Sequence, residues 1–243
     1  MEKKVLFFIC VLIINSLSIF AGNRETIYEA YIHNRMSEWK ILTDQMNSLT
    51  VKSDELLLEL VNFQYGYIGW CMESNRKEEA QSYLKLAENI LKTLENDKYH
   101  PSLVLAYKSA FYGFRIGLNK FSAPFNGPKS TACANQAVQL DQENSLAYIQ
   151  LGNGKLHAPA LMGGSKTEAI VYFLKAKTLM EKNKDQLHGD WNYINLLVTL
   201  ATAYQLNDDD TNSKKIYEEI LKFEPEFLLV KDKLYPELLK KMK

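Results

Sequence analysis

The stretch Leu196–Phe227, LLVTLATAYQLNDDDTNSKKIYEEILKFEPEF, decides the fold. It reads as two amphipathic helices joined by a short acidic turn and stopped by Pro225. Leu197, Leu200, Ala201 and Tyr204 precede the turn, and Ser213, Tyr217 and Ile220 follow it. Their spacing, three and four apart, puts each set on one helical face. The proline fixes φ and has no N–H, so it ends the second helix. Two helices that each carry an apolar stripe cannot bury both stripes against one another alone. The unit therefore calls for stacked neighbours.

The same rule recurs upstream. Ala80, Leu84 and Ala87 are matched by Ala169, Phe173 and Ala176, and again by Ser130, Ala134 and Ala137, with small residues where a partner helix must come close. Each set follows an apolar helix: residues 56–72, 102–118, 146–156 and 191–206. A shorter first pair, residues 24–33 and 37–47, offers Trp39 as a core residue. This landmark set resembles the tetratricopeptide repeat (TPR), a helical hairpin of about 34 residues. The resemblance implies an all-α, right-handed solenoid of about five hairpins over residues 23–243, the first degenerate, with a concave face lined by the first helix of each pair. After Pro225, the residues Phe227, Leu228, Leu234, Leu238 and Leu239, followed by Lys240, Lys241 and Lys243, read as a helix capping the exposed end of the stack; Pro236 breaks it or starts its final turn.

Turn chemistry supports the boundaries. Ser165 with Glu168, and Asn75 with Glu78, suit capping boxes, and Ser53-Asp54-Glu55 suits a helix start. The segments FSAPFNGPKS and HAPALMGGSKTEA both carry Ala-Pro and then glycine, and read as links between paired helices. Here the chain resembles a family of exported TPR proteins common in Bacteroidetes, in Gly127-Pro128-Lys129-Ser130, Gly163-Gly164-Ser165-Lys166 with Ala169, Trp191-Asn192-Tyr193, and residues 234–239. That resemblance implies no catalytic residues, and it implies either a scaffold or an accessory part of an envelope transport system.

Lys3 and Lys4, the apolar run Val5–Ile14, and Ala21-Gly22 suit a cleaved signal peptide over residues 1–22. The run is shorter than the ~20 apolar residues of a membrane span, and no second run follows, so a periplasmic or secreted chain without a membrane span is expected. Lys and Arg number 29, and Asp and Glu also 29, so no basic excess points to nucleic acid. Cys71 and Cys133 sit in apolar helical stretches and read as buried thiols.

Motifs for chemistry are weak. Asp208, Asp210, Asn212 and Glu219 match positions 1, 3, 5 and 12 of an EF-hand loop, but Ser213 stands where the sharp turn needs glycine and the repeat register makes this segment helix. Gly163-Gly164 lacks the strand and the Lys-Ser/Thr of a phosphate loop. His33, His100, His157 and His188 are scattered, and no G-x-S-x-G occurs. The chain is read as a non-enzyme needing no cofactor or metal. In the repeat register the concave stripe takes Asn62, Tyr65 and Met72 from the second pair, Ile149, Asn153 and Leu156 from the fourth, and Asn195, Val198, Thr202 and Gln205 from the fifth. Amides there both donate to and accept from a peptide backbone, so Asn62, Tyr65, Asn153, Asn195, Thr202 and Gln205 are the candidate contacts for a protein or peptide. A small molecule or envelope polymer is the alternative. It would need an aromatic pocket between Tyr65 and Tyr107, Phe111 and Phe114.

Overall fold

The computed structural model describes residues 22–243, so the expected signal segment, Gly22 apart, lies outside the described residues. Helix α1 covers 22–32. The others are α2 (Met36–Ser48), α3 (Asp54–Glu73), α4 (Lys77–Asn96), α5 (Pro101–Leu118), α6 (Ala123–Leu140), α7 (Ser145–His157), α8 (Lys166–Met180), α9 (Trp191–Leu206), α10 (Asp210–Phe223) and α11 (Tyr235–Lys241). There is no strand among the described residues. Successive helices pack as antiparallel hairpins, α3 on α4, α5 on α6, α7 on α8 and α9 on α10, and each hairpin packs on the next. The architecture is the expected all-α solenoid.

Small residues set the helix spacing. Ala80, Ala87, Ala134, Ala137, Ala169, Ala176 and Ala201 are all buried. Gly152 on α7 lies so close to the Phe173 ring of α8 that a Cβ there would stand 2.4 Å from it. One core runs the length of the molecule through Trp39, Tyr67, Phe111, Phe173, Tyr217 and Phe227. Where α5, α6 and α7 meet, three alanines pack together, and a polar clasp ties them: Ser102 Oγ donates to the Ala137 carbonyl at 2.8 Å, and Asn144 Nδ2 donates to Ser102 Oγ at 2.7 Å.

Several boundaries differ from expectation. The segment FSAPFNGPKS is not a link: α6 starts at Ala123 and runs through Pro128, with Pro124 in its first turn, where a missing N–H has no helical partner to lose. Asn75 caps nothing. It takes a left-handed φ of 59° that closes the turn, and α4 starts from Arg76 without a side-chain cap. Ser53 and Ser165 do cap, accepting from the Leu56 and Glu168 amides at 3.2 Å each. In the α7–α8 link Gly163 has φ 84°, and a Cβ on Gly164 would lie 1.9 Å from the Ala158 carbonyl oxygen. Both glycines serve the turn. Pro236 falls in the first turn of α11, preceded by a π-helical turn at Leu229–Leu234.

The C-terminal segment packs on α10 at the end of the stack, where Tyr235 donates to Glu218 at 3.0 Å and Lys241 pairs with Asp210 at 2.8 Å, and its start also reaches α1. The Phe227 ring packs 5.2 Å from that of Tyr31, and Tyr28 donates to Glu224 at 2.7 Å, so α1 lies against the fifth hairpin and the segment after it. The first helix and the fifth hairpin thus close on one another.

Candidate functional site: the inner face of the solenoid

Trp191, the first residue of α9, organises the inner face. Its ring meets Trp39 at 5.0 Å, Tyr31 at 6.0 Å and Tyr65 at 6.1 Å between centroids. Its indole N–H donates to Asn62 Oδ1 at 2.9 Å. Gly66 makes room for this cluster: a Cβ there would stand 2.5 Å from Trp39 and 2.7 Å from Trp191. The groove between α3 and α9 is therefore filled from within by α1 and α2.

A polar layer borders the aromatic cluster. Arg24 Nε donates to Glu59 at 2.8 Å, and Asn192 Nδ2 donates to Asp190 at 3.0 Å. Burial pushes both carboxyls above the ordinary carboxylate range, against the opposing pull of Arg24 on Glu59 and of the Asn192 bonds on Asp190. The second oxygen of Glu59 and the whole Gln64 amide are buried without a hydrogen-bond partner. Such groups destabilise a fold unless something satisfies them.

The candidate contact residues divide into two sets. Asn62 and Tyr65 belong to the packed interior: Tyr65 is buried, stacks on Phe114 at 5.5 Å, and accepts from Gln150 at 3.3 Å. Gln205 turns toward its own hairpin and donates to Tyr217 and Ser213 at 2.9 and 3.1 Å. Asn195 is half-buried and accepts from the Tyr31 hydroxyl at 3.0 Å. Asn153 is half-buried and Thr202 exposed, and neither is sealed by α1. The side chains that close the groove, Tyr31 and Trp191, were not assigned this role from sequence. Their partners come from residues 31, 39, 62, 65 and 195, and no local pattern records such distant pairings.

The aromatic residues Tyr65, Tyr107, Phe111 and Phe114 do not enclose a pocket. Tyr107 meets Tyr65 at 5.8 Å and Phe111 at 6.3 Å, and Phe111 meets Phe114 at 6.1 Å. The rings fill their own space. A shallow groove of about 230 Å³ between α4 and α5 is crossed by ion pairs of Arg115 with Glu88 and Lys108 with Glu95, both at 2.7 Å.

The acidic turn is built as a helix start. Asp209 accepts from the Asn212 amide at 3.0 Å, Asp210 pairs with Lys241 at 2.8 Å, and Glu219 pairs with Lys177 at 2.8 Å. The EF-hand positions are thus dispersed onto other partners. No group of three or more His, Cys, Asp or Glu side chains is placed to hold a metal ion among the described residues. Cys71 and Cys133 are free thiols, and burial pushes the Cys71 thiol up to about 11.

No family model and no curated protein matches the sequence. The structure resembles the crystal structure of a thermophilic TPR protein in Thermus thermophilus, with a TM-score of 0.55 and 14% identity, covering 92% of this chain and 95% of that one. Agreement over nearly the whole of both chains, with helical hairpins stacked through buried alanines, gives this protein the fold of a TPR protein.

Proposed function

We propose that this chain is a non-catalytic scaffold that binds a protein or peptide on the part of its inner face left open beyond α1, and that it is exported after loss of residues 1–22. The observation that carries the binding surface is the division of the inner stripe. Its N-terminal part is consumed by internal packing, while Asn153 on α7 and Thr202 on α9 keep access to solvent. An amide and a hydroxyl so placed bond a peptide backbone without sequence preference. The fold adds support, because stacked helical repeats present extended surfaces to partners. A small-molecule or polymer site would need room among Tyr65, Tyr107 and Phe114, where the rings are in mutual contact.

The test is a pull-down from envelope extract with wild type, Asn153→Glu/Thr202→Glu, and the outward pair Lys175→Glu/Lys222→Glu. Carboxylates on the inner stripe oppose a docked backbone through bulk and unmatched desolvation. At the exposed positions Thr202, Lys175 and Lys222 such changes shift stability by about 0.5 kcal/mol or less, and circular dichroism checks that the half-buried Asn153→Glu change leaves the fold intact. The inner pair should lose the partner and the outward pair keep it. Retention by the inner pair with loss from the outward pair rejects the inner face as the binding surface.

A further inference from the structure

Two neighbouring turns carry an apolar edge that the inner-face function does not use. The Asn144–Ser102 hydrogen bond aligns the starts of α7 and α5, which run parallel, so the α5–α6 and α7–α8 turns emerge on the same edge of the solenoid. Phe121 on the α5–α6 turn is 91% exposed and Phe125, at the start of α6, 73%; Leu161 is 102% and Met162 65% exposed on the α7–α8 turn. Four large apolar side chains held in water on adjacent turns mark an interaction surface.

The turns are ordered by their own hydrogen bonds. Asn119 Oδ1 accepts from the Phe121 amide at 3.1 Å, and Ser122 Oγ donates to the Asn119 carbonyl at 2.7 Å. In the second turn the Gly164 amide donates to the Pro159 carbonyl at 3.1 Å and the Ser165 amide to the Lys155 carbonyl at 2.9 Å. The apolar tips therefore cannot fold back easily onto the core.

Charge around the tips is one-sided. Residues 118–131 and 155–168 hold Lys120, Lys129, Lys155 and Lys166 against Glu168 alone, in a chain whose charges balance as a whole. Glu168 is paired with Lys155 at 2.7 Å. The next turn, Asp208–Asp210, is acidic and bounds the patch on that side; it lies close, since Thr167 donates to Asn207 at 3.4 Å.

We infer that this edge is a docking surface for an anionic lipid bilayer, with Phe121, Phe125, Leu161 and Met162 entering the interface and the lysines lying at headgroup level. The tips project from convex turns and do not line a hollow. A bilayer accepts separate projecting tips, whereas a protein partner would need a matching cavity for each. No described helix is long and apolar enough to cross a membrane, so the contact is peripheral. Helix α1 begins at the opposite edge, where Arg24 reaches Glu59 near the start of α3.

The chain without residues 1–22, the exported form proposed above, is floated with vesicles of phosphatidylethanolamine and phosphatidylglycerol, and with phosphatidylcholine vesicles, beside the variant Phe121→Ser/Phe125→Ser/Leu161→Ser/Met162→Ser. Circular dichroism checks that the variant keeps its helices. Wild type should partition to the anionic vesicles about tenfold or more above the variant, and rising salt should weaken it. A second readout tests which edge makes the contact. Leu161→Trp should be quenched by vesicles with brominated acyl chains, while Val51→Trp, exposed on the α2–α3 link at the opposite edge, should not be. Equal flotation of wild type and variant, or an unquenched Leu161→Trp, overturns the proposal. So does concentration-dependent self-association without flotation that the serine changes abolish, which would assign the edge to a second copy of the chain.

Discussion

Gly66 and Gly69 lie one turn apart on α3 and have opposite surroundings. A Cβ on Gly66 would stand 2.5 Å from the Trp39 ring and 2.7 Å from that of Trp191, whereas Gly69 has open space. Trp39 is itself pinned by its N–H bond to the Phe63 carbonyl at 2.9 Å. Gly66→Ala is therefore expected to destabilise by about 1–3 kcal/mol through overpacking, and Gly69→Ala to stabilise by about 0.5–1 kcal/mol through helix propensity. Urea midpoints for the two variants check both signs. Asp190 offers a test in pH. Its folded-state pKa is raised by burial, so its contribution to stability is fully present below the unfolded carboxylate range, about pH 4, and is lost as pH rises through the raised value. Asp190→Asn keeps an acceptor for the Asn192 amide and removes the titration. As pH rises above about 4, wild type should lose stability relative to this variant, as read by denaturant melts at each pH. An identical pH slope in the two proteins contradicts the raised value.

Among the helices, α6 departs most from what its sequence suggests. Gly127 and Pro128 look like a break, yet the helix begins before them, and Pro128 sits exposed inside it with no N–H to give. Pro128→Ala restores one helical hydrogen bond and removes a ring clash, with no buried contact to lose. It should raise stability by about 1–3 kcal/mol. Ser165→Ala on α8 should act the other way, costing about 1 kcal/mol as the Glu168 amide loses its cap. The capping residue was legible because a capping box is a local signal, complete within four positions. The start of α6 was not, since packing on α5 over its full length outweighs the local cost of the proline.

Closure of the first hairpin on the last is a property of the whole molecule. Phe227 is fully buried against Tyr31, with Tyr28 bonded to Glu224 and Tyr31 to Asn195 around it. Phe227→Ala should cost about 3–5 kcal/mol. Hydrogen exchange should rise in α1 and in the segment after α10, while α5 and α6 stay protected, because stacked repeats couple chiefly to their neighbours. Uniform loss of protection across all hairpins would show that closure supports the entire stack. Closure also decides which part of the stripe is filled, since it packs Asn62 and Tyr65 into the interior and leaves Asn153 and Thr202 accessible.

The helices, their pairing and the TPR architecture could be read from the chain because they rest on short-range periodicity: Ala80-Leu84-Ala87 and its copies put small residues on one face wherever they occur. What fills the groove beside Asn62 and Tyr65 was not legible in this way. The contacts of Trp191 with Tyr31, Trp39 and Tyr65, and of Phe227 with Tyr31, join residues far apart in the chain. They depend on how much each hairpin rotates on the next, a small angle set by side-chain packing and accumulated over five pairs, which no local sequence pattern encodes.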